Sequence, residues 1–588
     1  MRPRCCRVGR GAHLGASVPV NILGINSFAH DTAAALIVDG IPVAFVEEER
    51  LNREKHTKSF PDLAIRWCLD QAGIEMEDID LVAFAHQAGV DYRRGAVDAL
   101  KRLPSPYAVK RLAAQTYVDV NLVRKQQAFL KRWRYHGKTA NVGHHLAHAA
   151  SAYFCSPFDT AAVLTLDRGG DFLSTTIGRG AGNKLTIERE VRNPDSLGEI
   201  YTAVTWYLGF LPNCDEGKVM GLAPYGRDQL AAEFKDLVQL TSDGLFKVNL
   251  EWFRYHLEGG YLSKRFIERW GPAREPKAEM TTHHQDIAHA VQDVTEEAGL
   301  HVTRALHAAT GERNLALAGG VALNSVMNAR LLNETPFEDI FIQASAGDAG
   351  NALGAALYMW HHVMDKPREW VMTHPFLGPE PTEADCKRAV EDSGLQWREV
   401  PDAAAEAARM LADGKIVGWF NGRAEVGPRA LGARSILADP RRAEMKDIVN
   451  ARVKHREAFR PFAPAILHED GDEYFEDYHL NPFMLLVLPV RREKREQIPA
   501  VTHVDGTGRL QSVTKDGFGE FYRLISEFKG LTGVPVVLNT SFNIMGEPIV
   551  NRPEEAIHDF VNTGMDALFI GPFVTEKVSS ARPPGQGI

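Results

Sequence analysis

The chain is poor in cysteine for its size: six among 588 residues, at positions 5, 6, 68, 155, 214 and 386, with no CxxC pair. Neither a disulfide framework nor a zinc ribbon is indicated, and a reducing, cytoplasmic setting fits best. No run of about 18 apolar residues occurs, which removes a membrane-spanning helix. Excess positive charge is also missing. The formal net charge of -9 argues against nucleic acid held mainly by electrostatics, although a local basic patch can still hold phosphates. The opening MRPRCCRVGRGAHLGASVPV is basic and Gly-rich without a continuous apolar core, so it does not read as a secretory signal; it reads as a disordered extension over 1–20.

What remains is an ordinary globular composition on a chain long enough for about two to four domains. NILGIN, AAALIVDG and IPVAFVEEER predict three strands, followed by a helix in PDLAIRWCLDQAG and a strand in IDLVAFA. The pattern returns over 159–192, where DTAAVLTLDRGGDFLSTTIGRGAGNKLTIEREVR again gives strand, Gly/Asp loop, strand, Gly-rich turn and strand. Two such openings predict a duplicated α/β unit of the actin and sugar-kinase type over 21–363. KPREWVMTHPFLGPEPT reads as a linker over 364–381, and a second α/β domain occupies 382–588.

Three constellations carry chemistry. GHHLAHAASAY puts His144 and His148 one helical turn apart on one face, while His145 points elsewhere. Asp167 ends the strand AAVLTLD and Asp348 opens the helix in SAGDAGNALGAA, places where α/β folds present ligands. Two imidazoles and two carboxylates suit Fe(II), Mn(II) or a catalytic Zn(II). The plainer readings are a helix with buried, hydrogen-bonded histidines and an Asp348 that caps backbone N–H groups. HExxH is absent, because residue 145 is His, and the metalloprotease reading loses its base. In LALAGGVALNS a strand runs into Gly319-Gly320 and a helix, which lets backbone N–H groups approach an adenosine or a phosphate, or is simply a tight turn. Residues 422–464 hold ten Arg or Lys and five Asp or Glu, a local reversal of sign. There Arg429, Arg434, Lys454, Arg456 and Arg460 suit a small phosphorylated substrate and a triphosphate; a solvated basic helix face or an RNA contact is the alternative.

HDTAAALIVDG, EEERLNREKH, HHLAHAASAY, EGKVMGLAPYG, AGGVALN, SAGDAGNALGAA, EVGPRALGARSILADPR, KHREAFRPFAP, THVDGTGRLQSV and LNTSFNIMGEPIV together resemble, in order, the O-carbamoyltransferase family of nodulation-factor and antibiotic biosynthesis, including the tobramycin-type enzymes. The resemblance implies an actin-like N-terminal domain similar to the tRNA threonylcarbamoyl transferase subunit. It also implies a YrdC-like C-terminal domain similar to the enzyme that makes threonylcarbamoyl adenylate. The implied reaction joins the carbamoyl group of carbamoyl phosphate to AMP from Mg(II)-bound ATP, then passes carbamoyl adenylate internally to a small-molecule hydroxyl. Fe(II) or another divalent metal would be held by His144, His148, Asp167 and Asp348. Gly319, Gly320 and Asn324 would face the adenosine. Arg429, Lys454, Arg460 and Arg509, with Ser541 and Asn543, would surround carbamoyl phosphate and the triphosphate, Arg434 and Arg456 being second choices. His30 is the expected general base, Asp31 its orienting neighbour, and Lys55 a group for the carbamoyl oxygen or a phosphate.

The stretch DRGGD departs from the family's DGxGE by placing Arg168 and Asp171 in that loop, and EVGPRALG departs from EFGPRALG. The rivals are a fused tRNA-modifying enzyme and a nucleotide-dependent interaction module without turnover. The acceptor is open among sugar, polyketide or macrolactam, and lipo-oligosaccharide hydroxyls, with its pocket expected around 85–140 and 195–275. A homodimer is compatible with the sequence, and neither membrane nor nucleic-acid partners are expected.

Overall fold

The computed structural model describes residues 19–577 except 28–29, 88, 90–92, 94–96, 98–105 and 258–259. The expected extension therefore lies outside the described residues up to 18. At its end Val20 is tied to the first hairpin, its N–H donating to Asp39 Oδ1 at 3.0 Å.

The first sheet contains β1 (Asn21–Asn26), β2 (Ala33–Val38), β3 (Ile41–Glu47), β4 (Leu81–Phe84) and β5 (Lys138–Asn141) in the order β3-β2-β1-β4-β5. The second contains β6 (Thr160–Gly170), β7 (Leu173–Ala181) and β8 (Lys184–Arg192); β9 (Val238–Leu240) and β10 (Phe246–Val248) form a separate ribbon, and β11 (Asn314–Ala318) and β12 (Asp339–Ile342) complete the sheet. Its order, β12-β11-β6-β7-β8, repeats the first sheet's topology. In each, three antiparallel strands are followed by two parallel ones. Central strands such as β1, buried at all six positions, read as unbroken apolar runs because both faces are covered.

Two small-residue helices lie between the sheets: α1 (His144–Tyr153) packs on β6 and β11, α2 (Asn351–Leu357) on β1 and β2, and each packs on the other. Their closeness depends on glycine. A Cβ at Gly354 would lie 2.0 Å from the Ala147 carbonyl oxygen. This contact fixes the distance between the histidine helix and the loop that carries Asp348.

The remaining strands, β13 (Trp397–Glu399), β14 (Val417–Phe420), β15 (Arg434–Ala438), β16 (Ala463–Leu467), β17 (Leu486–Pro489), β18 (Thr507–Val513), β19 (Val536–Ser541), β20 (Ala567–Ile570) and β21 (Phe573–Glu576), form one mixed sheet of order β13-β21-β20-β14-β15-β19-β16-β18-β17. The expected pair of architectures, a duplicated actin-like unit and a separate sheet-rich α/β unit, is what the chain adopts. Residues 364–381 hold no helix or strand but are pinned to both units: Phe45 N–H donates to Leu377 O at 3.0 Å and Val426 N–H to Pro375 O at 3.0 Å. Among the described residues no helix is long and apolar enough to cross a membrane.

One turn brings the basic loop of the second unit onto the first. Gly427 has φ 92°, a conformation that favours glycine, and a Cβ there would lie 2.2 Å from the Ala344 carbonyl oxygen. Its N–H donates to Glu47 Oε1 at 2.6 Å and its carbonyl accepts from the buried Arg50 guanidinium at 2.6 Å. We expect Gly427→Ala to destabilise the protein by about 1–3 kcal/mol through overpacking and backbone strain, read by chemical denaturation. An unchanged midpoint would contradict this docking.

Candidate active site

The N-terminal turn of α1 is set by the loop after β6. Asp171, one of the two departures in DRGGD, accepts from the His144 backbone N–H at 2.6 Å and pairs with His86 Nδ1 at 2.9 Å. The four-residue spacing then brings His144 Nε2 and His148 Nε2 to 3.2 Å. Asp167 Oδ2 lies 3.4 Å from His144 Nε2, and Asp348 Oδ1 lies 3.5 and 3.4 Å from the two Nε2 atoms. Asp348 thus directs its carboxylate at the imidazoles. His145 turns away, Nδ1 at 2.7 Å from Thr165 Oγ1, and burial followed by the His144 charge holds it down to about 3.

These four side chains offer ligand atoms all within 4.8 Å of one another, a group able to hold a metal ion. Burial disfavours charge on His144 and Asp167, but the attraction of opposite charges wins. His144 is raised to about 9 by Asp348 and Asp167 against desolvation, and Asp167 is held well below the usual carboxylate range by His144 and His148. One buried and one half-buried carboxylate facing two imidazoles favour a cation between them, and two nitrogens plus two oxygens fit a divalent one. Gly320 N–H donates to Asp167 Oδ1 at 2.8 Å, so the glycine pair holds the inner carboxylate from behind. Gly319 sits against the Leu166 carbonyl, where a Cβ would come within 2.1 Å.

Asp167 and Asp348 open into a cavity of about 790 Å³ that runs between the two units. Near them, Asp31 at φ 54° accepts from His30 Nδ1 and from His56 Nδ1, each at 2.8 Å. One carboxylate therefore fixes two imidazoles with Nδ1 as donor and leaves Nε2 as the basic nitrogen when the ring is neutral. Burial lowers His30, yet the hydrogen bond to Asp31 and the charge of Asp348 raise it overall. The exposed Lys55 also lines the cavity. So does Asn324, although its side chain is engaged, reciprocally with Gln292 at 3.0 Å and with Met327 N–H at 3.1 Å.

At the other end stand Arg429, Lys454, Arg456, Arg460 and Arg509. Burial and then mutual repulsion push Arg429 down to about 10 and Arg456 to about 9, and Lys454 and Arg509 well below their ordinary values. Nε of Arg429 and Nε of Arg509 are buried with no protein acceptor. Acidic relief is slight: Glu457 lies 3.8 Å from Arg460 and shares its carboxylate with Lys218 at 3.1 Å. The wall is a half-buried cation cluster short of anions, which a polyphosphate would complete.

Not every expected group presents itself there. Arg434 does not line the cavity; it is fully buried, its guanidinium donating to the carbonyls of Asn421, Gly422 and Ala433 and stacking 3.7 Å above Phe420. Its charge shapes the loop instead of facing a ligand. Lys454 Nζ donates to Ser541 O, Asn543 O and Asn543 Oδ1 at 2.8, 2.8 and 2.7 Å, so Lys454, Ser541 and Asn543 form one linked turn at the end of β19. Sequence reasoning passed over His56, Cys214, Lys446 and His503, which also line the cavity. His56 stood beside Lys55 in NREKH; Cys214 and His503 lie in loops and Lys446 on the short helix Met445–Val449, and only the fold brings them to the cavity.

Asp348→Asn and His148→Ala should each abolish stoichiometric binding of a divalent metal, measured by elemental analysis after dialysis. Retention of one ion per chain by both variants would rule out this donor set.

The comparisons with known proteins agree with the sequence resemblance. The carbamoyltransferase N-terminus family model matches residues 21–357 and the carbamoyltransferase C-terminus model residues 408–577. An uncharacterized protein of Synechocystis sp. is 40% identical over 603 residues, covering 95% of this chain and 97% of the relative. Nodulation protein NolNO of Sinorhizobium fredii is 39% identical over 575 residues, covering 94% of this chain and 80% of its own. Among solved structures, HypF of T. kodakarensis aligns with TM-score 0.33 and 13% identity over 59% of this chain and 49% of that one. Matched by its family over both units, this chain belongs to the carbamoyltransferases.

Proposed function

We propose that the protein is an ATP-dependent O-carbamoyltransferase that makes carbamoyl adenylate at the basic wall and transfers the carbamoyl group at the His30 end of the same cavity. The observation that carries this reading is the continuity of one cavity from the unpaired guanidinium groups to the N₂O₂ donor set. Arg429, Arg456, Arg460 and Arg509 offer preformed positive charge to carbamoyl phosphate and to the triphosphate of Mg(II)-ATP, where negative charge develops as pyrophosphate leaves. Lys454, held by Ser541 and Asn543, stiffens that wall. Carbamoyl adenylate is a mixed anhydride prone to hydrolysis, and a shared enclosure lets it reach the second site without crossing bulk water.

At the transfer end, His144, His148, Asp167 and Asp348 would hold a divalent ion, Fe(II) in this reading, which supplies positive charge for the adenylate phosphate. His30 Nε2, its ring oriented by Asp31, takes the proton of the acceptor hydroxyl as the oxygen attacks the carbamoyl carbon and AMP departs. Lys55 lines the same cavity and would meet developing negative charge there. The acceptor is a natural-product alcohol of the sugar, polyketide or lipo-oligosaccharide kind.

Incubation with Fe(II), Mg(II)-ATP and carbamoyl phosphate, without acceptor, should release pyrophosphate and form carbamoyl adenylate. ATP binding with neither product would refute the activation step. His30→Asn should keep pyrophosphate release and lose about 10²–10⁴-fold in transfer to whichever alcohol of a sugar and polyketide panel the wild type carbamoylates; loss of both activities together would count against a base role.

A further inference from the structure

One cation on the cavity wall has no part in the steps above. The basic groups of the wall all come from the second unit, whereas Arg50, on the short helix Glu48–Asn52, reaches the same cavity from the first. It is 4% exposed, and one terminal nitrogen of its guanidinium donates to Gly427 O at 2.6 Å. Nε and the other terminal nitrogen are buried with no protein acceptor. Gly427 therefore meets only one of the five N–H groups that a guanidinium carries in a fixed plane.

No acid answers this charge either. Among the described residues Arg50 joins no ion pair. Glu47, three positions earlier, gives its Oε1 to the Gly427 N–H at 2.6 Å, and burial raises it toward the neutral form against the pull of Arg50. A guanidinium stays charged at any ordinary pH, so one held out of water with unused donors favours whatever acceptor enters beside it.

The surrounding segment runs between the two ends of the cavity. Glu49 of the same helix accepts from His56 N–H at 2.7 Å, and His56 shares Asp31 with His30 at 2.8 Å each. Just past the helix, Arg53 donates to Ile549 O at 2.8 Å and Pro548 O at 3.1 Å in the second unit. Arg50 thus stands where the transfer groups of the first unit meet the turn that leads into Arg429.

We propose that Arg50 is a phosphate-binding residue of this junction, contacting the α-phosphate of the nucleotide, the group that ATP, an adenylate and AMP have in common. Its place in the reaction rests on the carbamoyl-adenylate reading. Pyrophosphate leaves at the basic wall, while the α-phosphate stays on the adenylate that goes on to the metal end. A cation of the first unit bonded to the wall's own turn holds that phosphate through both steps. Arg50 makes and breaks no covalent bond; it supplies fixed positive charge to an oxyanion.

Calorimetric titration of AMP and, separately, of pyrophosphate into the full chain tests this in the wild type and in Arg50→Gln. AMP binding should weaken about ten-fold or more in the variant, the effect of losing a hydrogen bond to a charged group, while pyrophosphate binding stays within about two-fold. AMP affinity that ignores the replacement, or no AMP binding by the wild type, would overturn the proposal. Equal weakening of both ligands would make Arg50 a clamp for the Arg429 turn alone, and would overturn it too. If Arg50→Gln melts below the wild type, Arg50→Lys decides, since it keeps the charge and a donor for Gly427 but lacks the planar guanidinium: AMP about five-fold weaker with pyrophosphate unchanged is expected, and unchanged AMP affinity overturns the assignment. Pyrophosphate release from Mg(II)-ATP and carbamoyl phosphate, measured on the same wild-type protein, separates the two readings. Release combined with AMP binding that does not depend on Arg50 removes the proposal and leaves the activation reading standing. Selective loss of AMP binding without release supports the phosphate site and removes the carbamoyl-adenylate reading.

Discussion

Positive charge crowded into a half-buried wall with few matching anions is the constraint around which this molecule is arranged. Placing Arg429, Arg456, Arg460 and Arg509 together costs desolvation and mutual repulsion, which only the packed surroundings can hold in place. Gly427 delivers Arg429 by docking its turn against Ala344 and between Glu47 and Arg50. Arg456 is braced by Phe462 at 4.4 Å and by Asn450 Oδ1 at 2.9 Å. The second unit is thus shaped to keep a charge that it does not itself neutralise. In the proposed function its complement is a ligand.

The opposite end has the reverse problem, carboxylates gathered in a buried place. Here the solution is built from the duplication. Each half of the actin-like unit contributes one small-residue helix to the space between the sheets, and close contact at Gly354 lets the loop bearing Asp348 meet the histidines of α1. The strand end of β6 adds Asp167. Neither half alone has the full donor set, so the symmetry of the fold and the asymmetry of the site belong to one arrangement.

Much of this was legible in the sequence, for physical reasons. Strands covered on both faces are unbroken apolar runs, and the repeated strand–loop–strand pattern after residue 159 announced the second sheet. The i, i+4 spacing made the meeting of His144 with His148 readable, since helical geometry is local. What could not be read was direction. Arg434 and Arg429 lie five residues apart in one basic segment, yet one turns into backbone carbonyls above Phe420 and the other faces the cavity. Charge counts do not encode that difference. Likewise Asp31 and His56 are 25 positions apart in the chain, and only the docking of two loops makes them hydrogen-bonded neighbours. The expected linker was readable by its prolines, but its role as a strap came from carbonyls at Pro375 and Leu377 that accept from both units.

The central claim is that the basic wall is a polyphosphate site completed by its ligand. Calorimetric titration of a non-hydrolysable ATP analogue into the full chain, repeated with pyrophosphate as competitor and at several salt concentrations, tests it most directly. The account predicts one competitive site whose affinity falls steeply with salt and is lost when Arg429 and Arg509 are both replaced by Gln. Binding that survives the double replacement in a variant that melts like the wild type, or no binding at all, would contradict it.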